Sequence, residues 1–234
     1  MPSSAFTKFG DRILEVKRLL ALCTPVTARY GTKKENALRD DALLRAAHVL
    51  LCSHLEGYFE DLVSDVVTAY DVLASHVILL PDALRAHQVT GGASRWEVKD
   101  GTKRWQIMQA WAAHPLIQVT AEKPTKCMEA SLHTDGFSNP GTGEIEALFR
   151  TVGIPSVWEL FKKREPDQLI FQSMNAIVHR RNQIAHGDAS ATITLADAQL
   201  YVARAERIAA VFDTIISHEI NLQLTYEDCW SAIP

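Results

Sequence analysis

Arg181, Asn182 and His186 stand within six residues of one another, directly before Gly187. Their types suit one class of chemistry. A histidine titrates near neutrality and can take or give a proton. An arginine offers a fixed fork of donors to charge growing on a phosphate, where a lysine offers only a point charge. An asparagine can donate to the same phosphate or orient the imidazole. Cleavage of an RNA backbone by its own 2′-hydroxyl needs a group of near-neutral pKa to move protons and a fixed cation for the charge growing on the phosphate. With nine His and 14 Arg in the chain, an Arg five places before some His is expected about half a time by chance, and requiring Asn next lowers that to about one in a hundred.

These residues sit on a helix predicted over 167–186. Its apolar stripe runs Ile170, Met174, Ile177, then Arg181, then Ile184, so a guanidinium occupies a place where the pattern calls for an aliphatic side chain. The neighbouring stripe of Val178, Asn182 and Ala185 turns Asn182 inward as well. At 3.6 residues per turn Asn182 and His186 lie about 40° apart and share a face, while Arg181 and His186 diverge by about 140°. An inward guanidinium must be paired. The predicted partner is Glu56, which interrupts a second stripe of Val49, Cys52, Phe59 and Val63 on another long helix.

Helical periodicity dominates both ends of the chain. Phe6, Phe9, Ile13, Val16, Leu19 and Leu20 mark a first helix up to about Cys23. A second runs from about 35 to 73, with Leu44, Leu51, Leu55, Tyr58, Leu62 and Val66 on one stripe and Gly57 as its weakest point. The middle, about 81–140, is punctuated by Pro81, Gly91-Gly92, Asp100-Gly101, Pro115, Pro124, Gly136 and Pro140 and reads as a looped insertion. There Trp96, Val98, Trp105 and Ile107 flank Asp100-Gly101, which fits a short hairpin, while 103–113 fits a helix equally well. Helices resume after Pro140. Glu144 to Val152 is one, Ser156-x-x-Glu159 has the form of a capping box for the next, and Pro166-Asp167 suits the first turn of the helix ending at Gly187. A last helix opens at Thr194 and runs to about Ile220. The expectation is an all-α bundle in one domain over 1–234, with core helices at about 35–75 and 141–221.

Arg181-Asn182-Gln183-Ile184-Ala185-His186 resembles the R-N-x-x-x-H signature of HEPN domains, the higher-eukaryote and prokaryote nucleotide-binding family. Leu55-Glu56-Gly57-Tyr58-Phe59, Asn139-Pro140 with Glu144-Ile145, and Val152-Gly153-Ile154 resemble the RiboL-PSP subgroup of that family. The resemblance implies a helical bundle, homodimerisation, and metal-independent RNA cleavage at a site built from two such motifs. On it, His186 matches the catalytic histidine, Arg181 the arginine and Asn182 its polar neighbour. Members held in check by a nucleotidyltransferase antitoxin carry Tyr two places after the histidine; this chain has Asp188. The implied role is that of a bacterial toxin or antiviral effector, with an antitoxin or regulatory partner. Some HEPN domains are silent and bind RNA, a nucleotide or a partner protein, which is the rival reading.

Each site residue also has a plainer reading. Arg181 and Glu56 could be a structural ion pair, and His186 could satisfy carbonyls at a helix C-terminus. His179 and Arg180 suit steering of phosphates, with Arg180 in a supporting role. Lys103 and Arg104, among Trp96, Trp105 and Trp111, and Lys162 and Lys163 are the candidate RNA contacts. Residues 91–126 and 150–187 each carry six Lys or Arg against three acids, so both are locally basic in a chain of net charge -4. No HExxH, CxxC or phosphate-binding glycine loop occurs, so no metal and no cofactor are expected. No apolar run approaches the ~20 residues of a membrane span, and the first residues lack the core of a signal peptide. With four dispersed cysteines, these features lead to the expectation of a soluble, cytoplasmic protein without membrane contact.

Overall fold

The computed structural model describes residues 1–23, 33–90, 101–117, 121–124, 126–188 and 190–233. Its helices are α1 (Ser4–Leu22), α2 (Lys33–Leu73), α3 (Asp82–Thr90), α4 (Gly101–Ala112), α5 (Ser131–Thr134), α6 (Thr142–Thr151), α7 (Val157–Arg164), α8 (Gln168–Ala185) and α9 (Leu195–Leu224). No strand occurs among the described residues; a single antiparallel bridge links His76 and Glu122. None of the described helices is long and apolar enough to cross a membrane.

The 41 residues of α2 form one unbroken helix, about 60 Å long. Gly57 does not break it. A Cβ there would come within 2.9 Å of the Arg12 guanidinium, so the missing side chain lets Arg12 of α1 cross to Asp61 at 2.8 Å. The start of α1 is tied down from two helices. Asp65 of α2 accepts the Ala5 N–H at 2.8 Å, and Asp213 of α9 accepts the Ser3 N–H at 3.0 Å.

Between α1, α2, α6, α7 and α9 lies an aromatic core. Phe59 packs edge-on against Phe212, Phe149 and Tyr58, Trp158 edge-on against Phe161 and Phe212, and Tyr58 at a tilt against Phe9. Tyr58 is fully buried and its hydroxyl donates to the Ala209 carbonyl at 2.8 Å, as a buried phenol must.

Several local expectations are corrected. Of the two readings left open around Asp100-Gly101, the structure takes the helix: Trp105 and Ile107 lie within α4, and residues 91–100 lie outside the described residues. The middle segment is not merely looped, since it carries α3, α4 and α5. Tertiary docking supplies what its glycines and prolines withhold. Ser156 makes no side-chain cap; the Glu159 N–H goes to its carbonyl instead. Asp167 caps α8 from outside rather than joining its first turn. The capping box forms at Thr194 and Asp197, at the start of α9, which continues to Leu224.

A buried network docks the segment onto the bundle. The Gln88 side chain accepts from the Glu129 N–H at 3.0 Å and donates to the Glu129 carbonyl and to His133 Nε2, each at 2.9 Å. His133 Nε2 therefore accepts, and its proton sits on Nδ1 facing the Thr151 hydroxyl at 2.9 Å. Protonating the ring would set an N–H against the Gln88 amide donor. Burial, aided by the stacked His87, pushes His133 down to about 3.

The unfolded chain therefore takes up this proton near pH 6.5 while the folded chain refuses it, and the stabilisation drains away as pH falls through that range. Stability should drop by about 2 kcal/mol between pH 7 and pH 5 through this group. His133→Gln keeps an acceptor and a donor without titrating. Urea denaturation at the two pH values should show a flatter dependence in the variant; equal slopes would place the loss elsewhere.

Candidate functional site

Arg181 lies in the last turns of α8, where that helix crosses α2. Glu56 and Cys52 stand one turn apart on the same face of α2. The third component comes from the loop before α6. Arg181 Nη2 donates to Asn139 Oδ1, and the Asn139 N–H donates to Glu56 Oε2 at 3.3 Å. The direct Arg181–Glu56 separation is 3.9 Å, with side chains 23% and 29% exposed. The structure thus brings together the two residues expected to pair, but as a half-exposed pair joined through an asparagine. Arg181 also reaches the buried Cys52 thiol, where its hydrogen bond and charge oppose the upward shift caused by burial.

Asn139 was not among the residues singled out for the site. Its backbone is left-handed, at φ 52°, a conformation asparagine tolerates better than most residues. The turn is tight: the Gly141 N–H reaches back to the Asn139 carbonyl at 2.5 Å. Next to it, Asn175 of α8 accepts the Thr142 N–H at 3.0 Å and exchanges hydrogen bonds with the Thr142 hydroxyl. Trp158 Nε1 donates to the Thr142 carbonyl at 2.6 Å. The segment 139–142 is therefore held from α2, α7 and α8 at once. The Asn-Pro pair was the available signal, because Asn before Pro and a helix start marks a turn.

His186 stands apart from this cluster. It is the C-cap of α8, with an exposed side chain. Beyond it the chain turns in a Schellman motif: the Gly187 N–H bonds the Ile184 carbonyl and the Asp188 N–H the Gln183 carbonyl, each at 3.0 Å. Gly187 has φ 75°, a conformation that favours glycine. Asp188 turns onto Ser190, whose N–H and hydroxyl hold its carboxyl below the usual range. Asn182 is half-buried, and its carbonyl accepts the His186 N–H at 2.9 Å. Neither the Asn182 amide nor the His186 ring has a hydrogen-bond partner among the described residues. Arg181 and His186 differ by about 7.5 Å along the helix and by about 140° around it.

The remaining candidates disperse. Arg180 is half-buried and contributes, behind the Ser190 and Thr194 hydrogen bonds, to lowering Asp188 and Asp197. It stands about 100° around α8 from Arg181, and its charge also acts on His48 of α2. Lys162 sits 4.3 Å over the Phe171 ring, ten residues and thus about 15 Å along α8 from Arg181. Lys163 lines a cavity between α7 and α9 with Arg164 and His218. Lys103 is exposed on α4, and the Arg104 side chain lies outside the described residues. Lys123, counted in the basic middle stretch, is a correction. Its side chain is 1% exposed and its ammonium is spent on Asp71 at 3.1 Å and on the Asp71 and Pro124 carbonyls. Among the described residues no group of three or more His, Cys, Asp or Glu gathers within reach of one metal ion.

An all-α bundle carrying this Arg-Asn-His arrangement at the end of a helix is a HEPN domain. The family model described as RiboL-PSP-HEPN matches residues 10–218, and the chain belongs to that family. Membership points to a nuclease or an RNA-binding module. No curated protein and no solved structure matches the chain.

Because the Arg181–Glu56 pair is half-exposed, its coupling should be small. A double-mutant cycle with Glu56→Gln and Arg181→Met should return roughly 0.5–1 kcal/mol in urea denaturation. A coupling near the ~3–5 kcal/mol of a fully desolvated pair would contradict this geometry.

Proposed function

We propose that the chain is a metal-independent endoribonuclease acting in the cytoplasm as a homodimer, in the service of toxicity or antiviral defence. The observation that carries this reading is the position of His186. It is an exposed imidazole carried at the capped end of α8, in the register of the family motif, on the same helix as a guanidinium held by acceptors. In the proposed reaction a histidine removes the proton of the RNA 2′-hydroxyl. The 2′-oxygen then forms a bond to phosphorus while the bond to the 5′-oxygen breaks. The departing 5′-oxygen takes up a proton from the imidazolium so formed, His186 serving as general base and then general acid, and the product ends in a 2′,3′-cyclic phosphate. Arg181 stabilises the charge on the nonbridging oxygens, and Asn182 binds the phosphate or orients the ring.

A specific observation favours a second reading, a silent module that binds RNA, a nucleotide or a partner protein. Within one chain Arg181 is already engaged by Asn139 and Glu56 and points away from His186. Mixed cellular RNA separates the two readings. The enzyme should cleave it in EDTA, leave cyclic phosphate ends, and lose at least about 10²-fold in rate on His186→Ala. Binding without cleavage selects the module, and loss of cleavage on chelation with recovery in Mg²⁺ or Mn²⁺ overturns the metal-free mechanism.

The divergence of Arg181 and His186 also calls for a second chain. A two-fold axis near Gly187 would set two copies of each side chain around one phosphate. The protein should then run at about 52 kDa, twice the chain mass of 26.0 kDa. Mixing Arg181→Ala with His186→Ala chains should restore part of the activity. Full activity from a monomer at nanomolar concentration would refute the shared site.

A further inference from the structure

The least expected contact in the molecule is the one between Arg181 and a loop residue from a different third of the chain. The guanidinium extends out of α8 into a corner whose other walls are α2 and the turn before α6. Glu56 is 3.9 Å away, too far for a good hydrogen bond. Asn139 fills that gap. Its Oδ1 accepts a hydrogen bond from Nη2, and its own N–H occupies the Glu56 oxygen nearest the guanidinium. Asn139 accordingly sets both how far Arg181 extends and which of its donors is consumed.

The surroundings are built to hold this one residue still. The left-handed backbone, the Pro140 ring and the Gly141 turn fix its main chain, and Thr142 beside it is pinned by Asn175 and Trp158. A Cβ on Gly141 would come within 2.7 Å of Glu144 Oε2 and 3.5 Å of Asn175 Oδ1. The first of these is the far end of an exposed, flexible side chain, and the second is an ordinary contact.

We propose that Asn139 is a positioning residue for Arg181, acting through its side-chain carbonyl to aim the guanidinium at the scissile phosphate while its backbone N–H keeps Glu56 from capturing it. This rests on the ribonuclease reading above. It predicts a kinetic signature: the arginine is still present without Asn139 but samples more directions, so the chemical step suffers while RNA affinity changes little. A misplacement of about 1 Å in such a group can cost roughly 10²-fold in rate.

Three variants separate the amide from the backbone. Asn139→Gly keeps the left-handed turn and the N–H to Glu56 and removes only the acceptor. Asn139→Asp keeps an acceptor in a residue that also tolerates this backbone. Asn139→Ala removes the acceptor and strains the turn. Cleavage of a fluorophore–quencher RNA of mixed sequence by the full-length protein should show kcat reduced about 10²-fold in Asn139→Gly with KM nearly unchanged. Asn139→Asp should recover much of the loss. Melting temperatures should follow a different order, with Asn139→Ala lowest, as a purely structural role would not produce the rescue by Asp. A second readout does not depend on activity: the Arg181 side-chain N–H signals in ¹⁵N NMR should be sharp and slowly exchanging in the wild type and Asn139→Asp and broadened in Asn139→Gly. Unchanged kcat, or unchanged Arg181 signals, in Asn139→Gly overturns the proposal. A wild type that cleaves no RNA but shows the NMR pattern overturns the enzyme reading and leaves the positioning intact.

Discussion

A guanidinium drawn halfway out of water needs acceptors on every side it can no longer hydrate, and Arg181 imposes that demand where α8 crosses α2. Helix backbones cannot meet it, because their carbonyls are already committed. The acceptors must come from side chains, and here they come from two other parts of the chain, Glu56 in α2 and Asn139 ahead of α6. Much local structure follows from that requirement. The turn at 139–141 must be tight enough to present an amide oxygen. α6 must begin directly after it. Asn175 and Trp158 must hold the first residue of α6 in place.

The core and the polar cluster divide the work. Burying a large apolar side chain contributes roughly 1.5–3 kcal/mol, and the packed set of Phe9, Tyr58, Phe59, Phe149, Phe161 and Phe212 fixes α1, α2, α6, α7 and α9 relative to one another. A net hydrogen bond contributes about 1 kcal/mol. The cluster at Arg181 therefore adds little to holding the bundle together, and its effect is direction rather than stability. α2 serves both ends. Its Tyr58 and Phe59 lie in the core while Glu56, two residues earlier, faces the site.

Periodic features were legible in the sequence. The stripes of α1, α2, α8 and α9 announced their helices, and two charges in apolar registers, Arg181 and Glu56, announced each other across two helices. What the pattern overstated was their burial: an interrupted stripe says that a charge faces inward, not how deep it sits. Asn139 was invisible to periodicity, since its role depends on one left-handed φ in a turn. Lys123 misled because charge counting treats every lysine as solvated, whereas carbonyls of the fold can absorb one completely. The middle segment misled for a related reason. Its helices α3 and α5 are held by Gln88, His133 and Thr151, partners 18 to 45 residues apart, and no local window contains them.

The Schellman turn at Gly187 links the local geometry to the proposed assembly. It ends α8 abruptly and sends the backbone away, so His186 stays at an uncovered helix end instead of being enclosed by following residues. Arg181 is meanwhile held on a different side of the same helix by residues of its own chain. A helix five residues longer would bury the histidine's surroundings in its own next turn. A flexible end would let the ring swing toward its own arginine. The rigid, early stop does neither. On the proposed reading it leaves each chain with an aimed arginine and an exposed histidine that do not converge, and convergence is then achieved by apposing two rigid helix ends rather than by bending one. The positioning energy would come from the interface between two prefolded surfaces, which would make catalytic competence depend on concentration and would leave a lone chain inactive without any separate inhibitory element.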